Sequence, residues 1–227
     1  MTVAAIVPRE PPVFRDPSST LVVSGVLLVI VAILTVVVSI DPRLGIDDTW
    51  WRWMRDVRTS TVTDVSKGLS TFGDFFVQFV IRLAVAAVLV ARSWWRRLAA
   101  WAFVALLSTP ICNLAKALVD RPRPVNGLVH AAGASFPSGH AVTAAVTAFG
   151  IALVFTLPGR ARLTGYVIAG IYAVAMCWSR TELGVHWLTD VVAGAAFGTA
   201  LTLAAFAVAD LVGRRSPTSL EPAGVTQ

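Results

Sequence analysis

A histidine and an aspartate four residues apart, His186 and Asp190, follow Arg180 between two long apolar runs. If the segment is helical, positions i and i+4 share a face, and the carboxylate stands one turn from the imidazole. There it can hold the ring in one tautomer and raise its basicity. Arg180 adds a planar fork of N–H donors suited to phosphate oxygens. Charge set inside membrane-grade hydrophobicity is costly, so these residues are functional candidates. On this segment alone, an ion pair at a helix end without a chemical role is the competing reading.

Two further clusters precede it. Lys116, Arg121 and Arg123 fall within eight residues, and Pro122 and Pro124 stiffen the chain around Arg123. Lys116 is expected in the last turn of an apolar helix, where the helix dipole favours a cation. The alternative is a basic patch for anionic lipid. Next, Pro137, Ser138, Gly139 and His140 lead into another apolar run. Such a turn presents backbone N–H groups and a positive dipole end to an anion, with Ser138 as candidate cap. By itself it reads equally well as a plain helix cap beside an interfacial histidine.

The elements that must position these groups follow from composition. Of 227 residues, 56% are hydrophobic and 14% charged, and the mean hydropathy of +0.73 is that of a membrane protein. Apolar segments over 20–40, 75–90, 98–119, 141–157, 163–178 and 187–212 predict an all-α, six-transmembrane-helix bundle. The expected organisation is a disordered cytoplasmic tail over 1–19, a six-span domain over 20–213 and a short cytoplasmic tail over 214–227. The polar stretch 41–74 interleaves Trp50, Trp51, Trp53 and Met54 with charges, which suits an aromatic anchor lying in the membrane interface or a lip for a lipid head group. Arg82, with Gln78 one turn before it, falls inside the second span and either snorkels outward or faces the bundle, with a role in head-group binding as the further reading. Cys112 and Cys177 lie in apolar runs and read as small buried hydrophobes.

The net charge of +6 does not point to nucleic acid, because the basic residues lie between apolar runs. With the N-terminus in the cytoplasm, Arg9, Arg15, Arg92, Arg96, Arg97, Arg160, Arg162, Arg214 and Arg215 all fall inside. Both chemically rich loops then face outward, in a multi-pass protein of the cell membrane. Arginine supplies 17 of the 19 basic residues, a bias expected of a GC-rich bacterial genome.

In order and spacing the three clusters resemble the type 2 phosphatidic acid phosphatase family. Its pattern is Lys, six residues, Arg-Pro; then Pro-Ser-Gly-His; then Ser-Arg, five residues, His, three residues, Asp. Lys116, Arg123, Pro124, Pro137, Ser138, Gly139, His140, Ser179, Arg180, His186 and Asp190 fill every fixed position. The resemblance implies that His186 attacks phosphorus and forms a phosphohistidine, with Asp190 orienting it. His140 would protonate the leaving oxygen and then activate water. Lys116, Arg123, Ser138, Gly139 and Arg180 would cradle the phosphoryl oxygens.

It further implies no cofactor and no metal, and a membrane lipid phosphate or diphosphate as substrate: a polyprenyl diphosphate, phosphatidylglycerol phosphate or phosphatidic acid, met at the outer face of the bilayer. The same residues would serve a lipid phosphotransferase, and a non-catalytic lipid-binding or transport protein is the remaining alternative. No oligomeric state follows. His130 is expected to be a solvated loop residue, Arg121 to pair with Asp120 or hold its loop, and Glu182 to pair with Arg180 or Arg121 or face water.

Overall fold

The structure is a computed structural model that describes residues 10–215. Eight helices, and no strand, are found among them. α1 (Pro17–Ile40) starts where Asp16 accepts from the Ser18 N–H and Pro17 occupies the first turn. α2 (Gly45–Asp56) carries Asp47 and Asp48 in its first turn and Arg55 in its last, matching the helix dipole. α3 (Ser60–Thr71) is capped by Thr59. α4 (Phe75–Ala91) and α5 (Trp95–Val119) follow, and α5 ends at Asp120 in the left-handed region. α6 (Gly139–Phe155), α7 (Arg160–Glu182) and α8 (Leu188–Arg215) complete the chain. The polar stretch 41–74 is thus two short helices, and the Trp50 and Trp53 rings of α2 pack on Trp178 of α7 with centroids 6.3 and 5.7 Å away.

α6 packs against α5, α7 and α8, and α8 also packs against α1 and α5. Small residues let α8 come close. A Cβ at Gly194 would stand 2.6 Å from the Ser138 carbonyl oxygen, and one at Gly198 would stand 2.5 Å from that of Val142. This spacing of glycines four apart at a close helix crossing is a membrane packing device. It also fixes the register between α8, which carries Asp190, and the turn that carries Ser138 and His140.

Four helices, α1, α5, α7 and α8, are long and apolar enough to cross a membrane. α3 and α4 pass only together, as a pair bent by 49°, and α6 has 17 residues. By length and composition the structure therefore gives four crossing helices, or five with the bent pair, where the sequence pattern predicts six. The physical reason at α6 is position: its neighbours rather than lipid surround it, so bilayer thickness does not set its length.

Residues 1–9 of the expected disordered tail lie outside the described residues, but 10–16 are packed. Val13 and Phe14 are buried, and their N–H groups donate to Asp210 at 3.0 Å each. Glu10 accepts from the Arg96 and Arg97 backbone N–H groups at 3.1 and 2.9 Å, capping α5 from outside. Arg162 donates to the Val13 carbonyl at 2.9 Å. The expected tail is corrected here: buried polar partners and two apolar side chains hold this segment, and helix begins at Pro17. The same contacts pair several arginines that the charge pattern alone leaves uncompensated.

Candidate functional site

Four helix ends meet at the end of the bundle opposite the Glu10 segment: the C-termini of α5 and α7 and the N-termini of α6 and α8. His186 is not helical. It lies in the turn before α8, while Asp190 sits in the first helical turn. The two still meet, His186 Nδ1 to Asp190 Oδ2 at 3.4 Å, because Asp190 also accepts from the Trp187 N–H at 2.9 Å. A third-position carboxylate reaching back to the residue before a helix is half of a capping box. Helix capping and histidine orientation are thus one carboxylate's work.

The imidazole's other nitrogen, Nε2, lies 3.2 Å from Arg123 Nη1. A guanidinium only donates, so Nε2 must carry the lone pair and Nδ1 the proton that Asp190 accepts. Both neighbours therefore select one tautomer. Burial lowers the His186 pKa from 6.5 to about 3, against the opposing pull of Asp190, so the ring is neutral across ordinary pH. Arg123 is stationed by carbonyl oxygens of Gly133 (2.9 Å), Ala132 (2.9 Å), Ala134 (3.1 Å) and Val185 (2.7 Å). Lys116 Nζ donates to the Ala134 carbonyl at 2.7 Å. The loop between α5 and α6 thus binds both cations before any ligand arrives.

Arg180, at the end of α7, donates to Ser70 Oγ of α3, and its buried Nε has no partner. It acts electrostatically on both His140 and His186, as Arg123 does. Ser138 Oγ is likewise buried and unpartnered. Ser138 is the residue before α6, yet its hydroxyl makes no capping bond, which corrects the expected cap. An orphan hydroxyl, an orphan guanidinium N–H and a helix N-terminus at one bundle end form an anion cradle. His140, in the first turn of α6, faces Asp74 with Nε2–Oδ1 at 3.4 Å.

Behind Asp190 lies a buried chain of charges. Arg121 Nη1 donates to Asp190 Oδ1 and Nη2 to Asp47 Oδ2, both at 2.6 Å, with all three side chains fully buried. Asp47 also accepts from the Thr189 N–H at 2.9 Å, so α2 caps α8. Arg121 thus pairs with Asp47 and Asp190, not Asp120. Glu182, also expected to pair with Arg180 or Arg121, instead meets Arg58 at 3.4 Å and accepts from Thr63 Oγ1 at 2.7 Å. His130 is exposed, as expected. Sequence reasoning missed Asp47, Arg58, Ser70 and Asp74; each sits in the 41–74 stretch, where many charges surround it and no spacing marks it out.

Arg82 faces the bundle. It lines a groove of about 680 Å³ between α4, α5 and α6 whose walls include Phe79, Leu83, Trp101, Leu106 and Val142. The groove reaches Gly139, and also Gly73, where a Cβ would stand 2.4 Å from the His140 ring. Among the described residues no group of three or more His, Cys, Asp or Glu side chains is placed to hold a metal ion.

Residues 97–214, just over half of the chain, match the PAP2 superfamily. Phosphatidylglycerophosphatase B of Bacillus subtilis is 43% identical over 91 residues, 38% of this chain and 45% of that protein, so the chain spans under half the length of this relative. Decaprenylphosphoryl-5-phosphoribose phosphatase of Mycobacterium tuberculosis is 33% identical over 155 residues, 65% of this chain and 78% of that protein. The crystal structure of a transmembrane PAP2 type phosphatidylglycerolphosphate phosphatase from Bacillus subtilis superposes with a TM-score of 0.72 at 25% identity, covering 86% of this chain and 98% of that one. Aquifex aeolicus LpxE shares the fold at a TM-score of 0.57 and 19% identity, over 77% and 98% of the two chains. The chain is a multi-pass membrane protein and belongs to the PAP2 superfamily.

Proposed function

We propose that the chain is an integral-membrane lipid phosphate phosphatase that works through a phosphohistidine and without a metal. The carrying observation is the His186 ring, held between Asp190 and Arg123 with its Nε2 lone pair toward the cation cluster. In the first step Nε2 bonds to phosphorus, the bond from phosphorus to the leaving oxygen breaks, and His140 gives that oxygen a proton. Asp190 offsets the positive charge that grows on the His186 ring. In the second step His140 takes a proton from water, the water oxygen bonds to phosphorus and the P–N bond breaks. Arg123, Arg180 and Lys116 neutralise the equatorial oxygens, with Ser138 Oγ and the Gly139 N–H as further donors. Burial and then Arg180 lower the His140 pKa from 6.5 to about 4, and Asp74 opposes that shift by accepting from the ring.

The groove beside Gly139 lets an apolar chain stay in the bundle while its phosphate reaches His186. Both curated relatives are named for substrates in which glycerol or ribose stands between a phosphate and a lipid-bearing phosphoryl group. Polyprenyl diphosphate, phosphatidylglycerol phosphate and phosphatidic acid are the substrates proposed. We also place six spans across the membrane, α4 and α6 included, with the site outward. Arg92, Arg96, Arg97, Arg160, Arg162 and Arg214 gather at the opposite end, which supports this orientation.

The test is phosphate release by the purified full chain from a panel of lipid mono- and diphosphates in mixed micelles with EDTA present. Release that disappears in H186A is expected. Release that occurs only with an added alcohol acceptor would convert the reading to a transferase, and release from no substrate would end it.

A further inference from the structure

Arg82 lies halfway along α4, where Phe79 and Leu83 on the same helix are exposed. Its Nη1 donates to the Ala105 carbonyl at 2.9 Å, its Nε is 3.5 Å from Thr147 Oγ1, and its Nη2 is buried without a partner. Thr147 in turn donates to Gln78 Oε1 at 2.5 Å. Among the described residues no carboxylate pairs with Arg82.

A guanidinium keeps its charge, and a cation inside the hydrocarbon layer is costly without a counter-charge. Two fully buried arginines have such a counter-charge. Arg97 faces Glu10, and Arg121 faces Asp47 and Asp190. Arg162, at the basic end, places its donors on oxygens of Val13, Leu153 and Thr156. Arg180, which has no carboxylate either, belongs to the phosphate cradle. Arg82 therefore resembles Arg180: an incompletely satisfied fork without a counter-ion, on the wall of the groove that leads to Gly139.

Its depth can be read from two pairs that bridge the same helices. Asp74 meets His140 at the mouth, and Arg82 meets Thr147 below. These levels are eight residues apart on α4 and seven on α6, or about 12 and 10 Å at roughly 1.5 Å per residue. That interval accommodates two phosphates separated by a small polyol, each held by its own cation.

We propose that Arg82 is a second anion site, which binds the phosphodiester joining the phosphorylated head of the substrate to its apolar chain. The inference rests on the lipid-phosphatase reading and narrows it: the substrate carries a terminal phosphomonoester, a small polyol and an internal phosphodiester. A phosphatidic acid or a prenyl diphosphate has no second charge at Arg82's depth.

The test compares the full-length protein with R82Q and R82K on two substrates of equal acyl chains, phosphatidylglycerol phosphate and phosphatidic acid. R82Q should lower kcat/KM on the first by at least about tenfold more than on the second, mainly through KM, the scale of one charge-assisted hydrogen bond. R82K should keep most of the preference. Equal loss on both substrates, or no loss, overturns the proposal. A second measurement needs no variant: phosphatidylglycerol, which has the diester alone, should inhibit the native protein at least about tenfold more strongly than diacylglycerol. Equal inhibition overturns the proposal as well. Failure of the native protein to release phosphate from either lipid would instead bring down the phosphatase reading itself.

Discussion

Arg121 donates to Asp190 at 2.6 Å with both side chains fully buried. The carboxylate beside His186 is therefore itself set by a guanidinium that fills no fixed position of the three motifs. Because the same fork holds Asp47 of α2, that helix is tied through two ion pairs to the carboxylate that meets the His186 ring.

Removing that guanidinium strands two buried carboxylates. R121A is expected to cost about 3–5 kcal/mol, and thermal unfolding in detergent should show it as a Tm drop of roughly 6–20 °C. D47N is gentler, since an amide can still accept from the Thr189 N–H. It leaves Arg121 to Asp190 alone, which weakens the carboxylate's support of an imidazolium. A kcat lower by about 10–100-fold with KM little changed is expected, the scale seen for partners one contact behind a site residue. A change confined to KM would refute this linkage.

His186, Asp190, Arg180, Arg123 and Lys116 were legible because charge is rare in this sequence and each stands at a fixed distance from an apolar run. The helical bundle was legible for the same reason. Asp47, Ser70 and Asp74 were not: their partners Arg121, Arg180 and His140 lie 74, 110 and 66 residues away, and no local spacing encodes such a pairing. The packed segment 10–16 was hidden too, because its stability comes from backbone N–H groups meeting Asp210, not from its own composition. Helix periodicity also misplaced His186, since Asp190 reaches it by capping α8 and not by sharing a helical face with it.

The pH dependence follows from His186, whose pKa burial lowers to about 3. Above pH 6.5 the ring is neutral folded and unfolded, and contributes no pH dependence. Below it the unfolded chain takes up a proton that the folded site refuses, so stability falls between about pH 6.5 and pH 3. H186Q removes this contribution. The Tm of the native protein should therefore fall more steeply than that of H186Q between pH 7 and pH 4. The same low pKa keeps the His186 ring unprotonated, as the proposed attack requires, so an acid limb in kcat near neutrality must come from another group.

Chelators should leave turnover unchanged. The groups that surround the proposed phosphate site are Lys116, Arg123 and Arg180, which repel a metal cation and supply the charge it would bring. Phosphate release before and after dialysis against EDTA measures this directly. A loss of activity that Mg²⁺ or Zn²⁺ restores would remove metal independence from the mechanism.

Gly194→Ala probes whether the α6–α8 crossing sets the catalytic register. The added Cβ would stand 2.6 Å from the Ser138 carbonyl oxygen and 3.0 Å from the Ala141 Cβ, and a backbone oxygen can retreat only by moving the Ser138–His140 turn away from Asp190. A destabilisation of about 1–3 kcal/mol is expected, as for other overpacked contacts. A fall in kcat should accompany it, because the shift separates the two histidine-bearing elements. Gly170→Ala is the control: nothing lies within 4 Å of its Cβ, and in a helix alanine should be neutral or stabilising by up to about 1 kcal/mol. Equal behaviour of the two variants in unfolding and in phosphate release would show that close approach at Gly194 does not hold the site together.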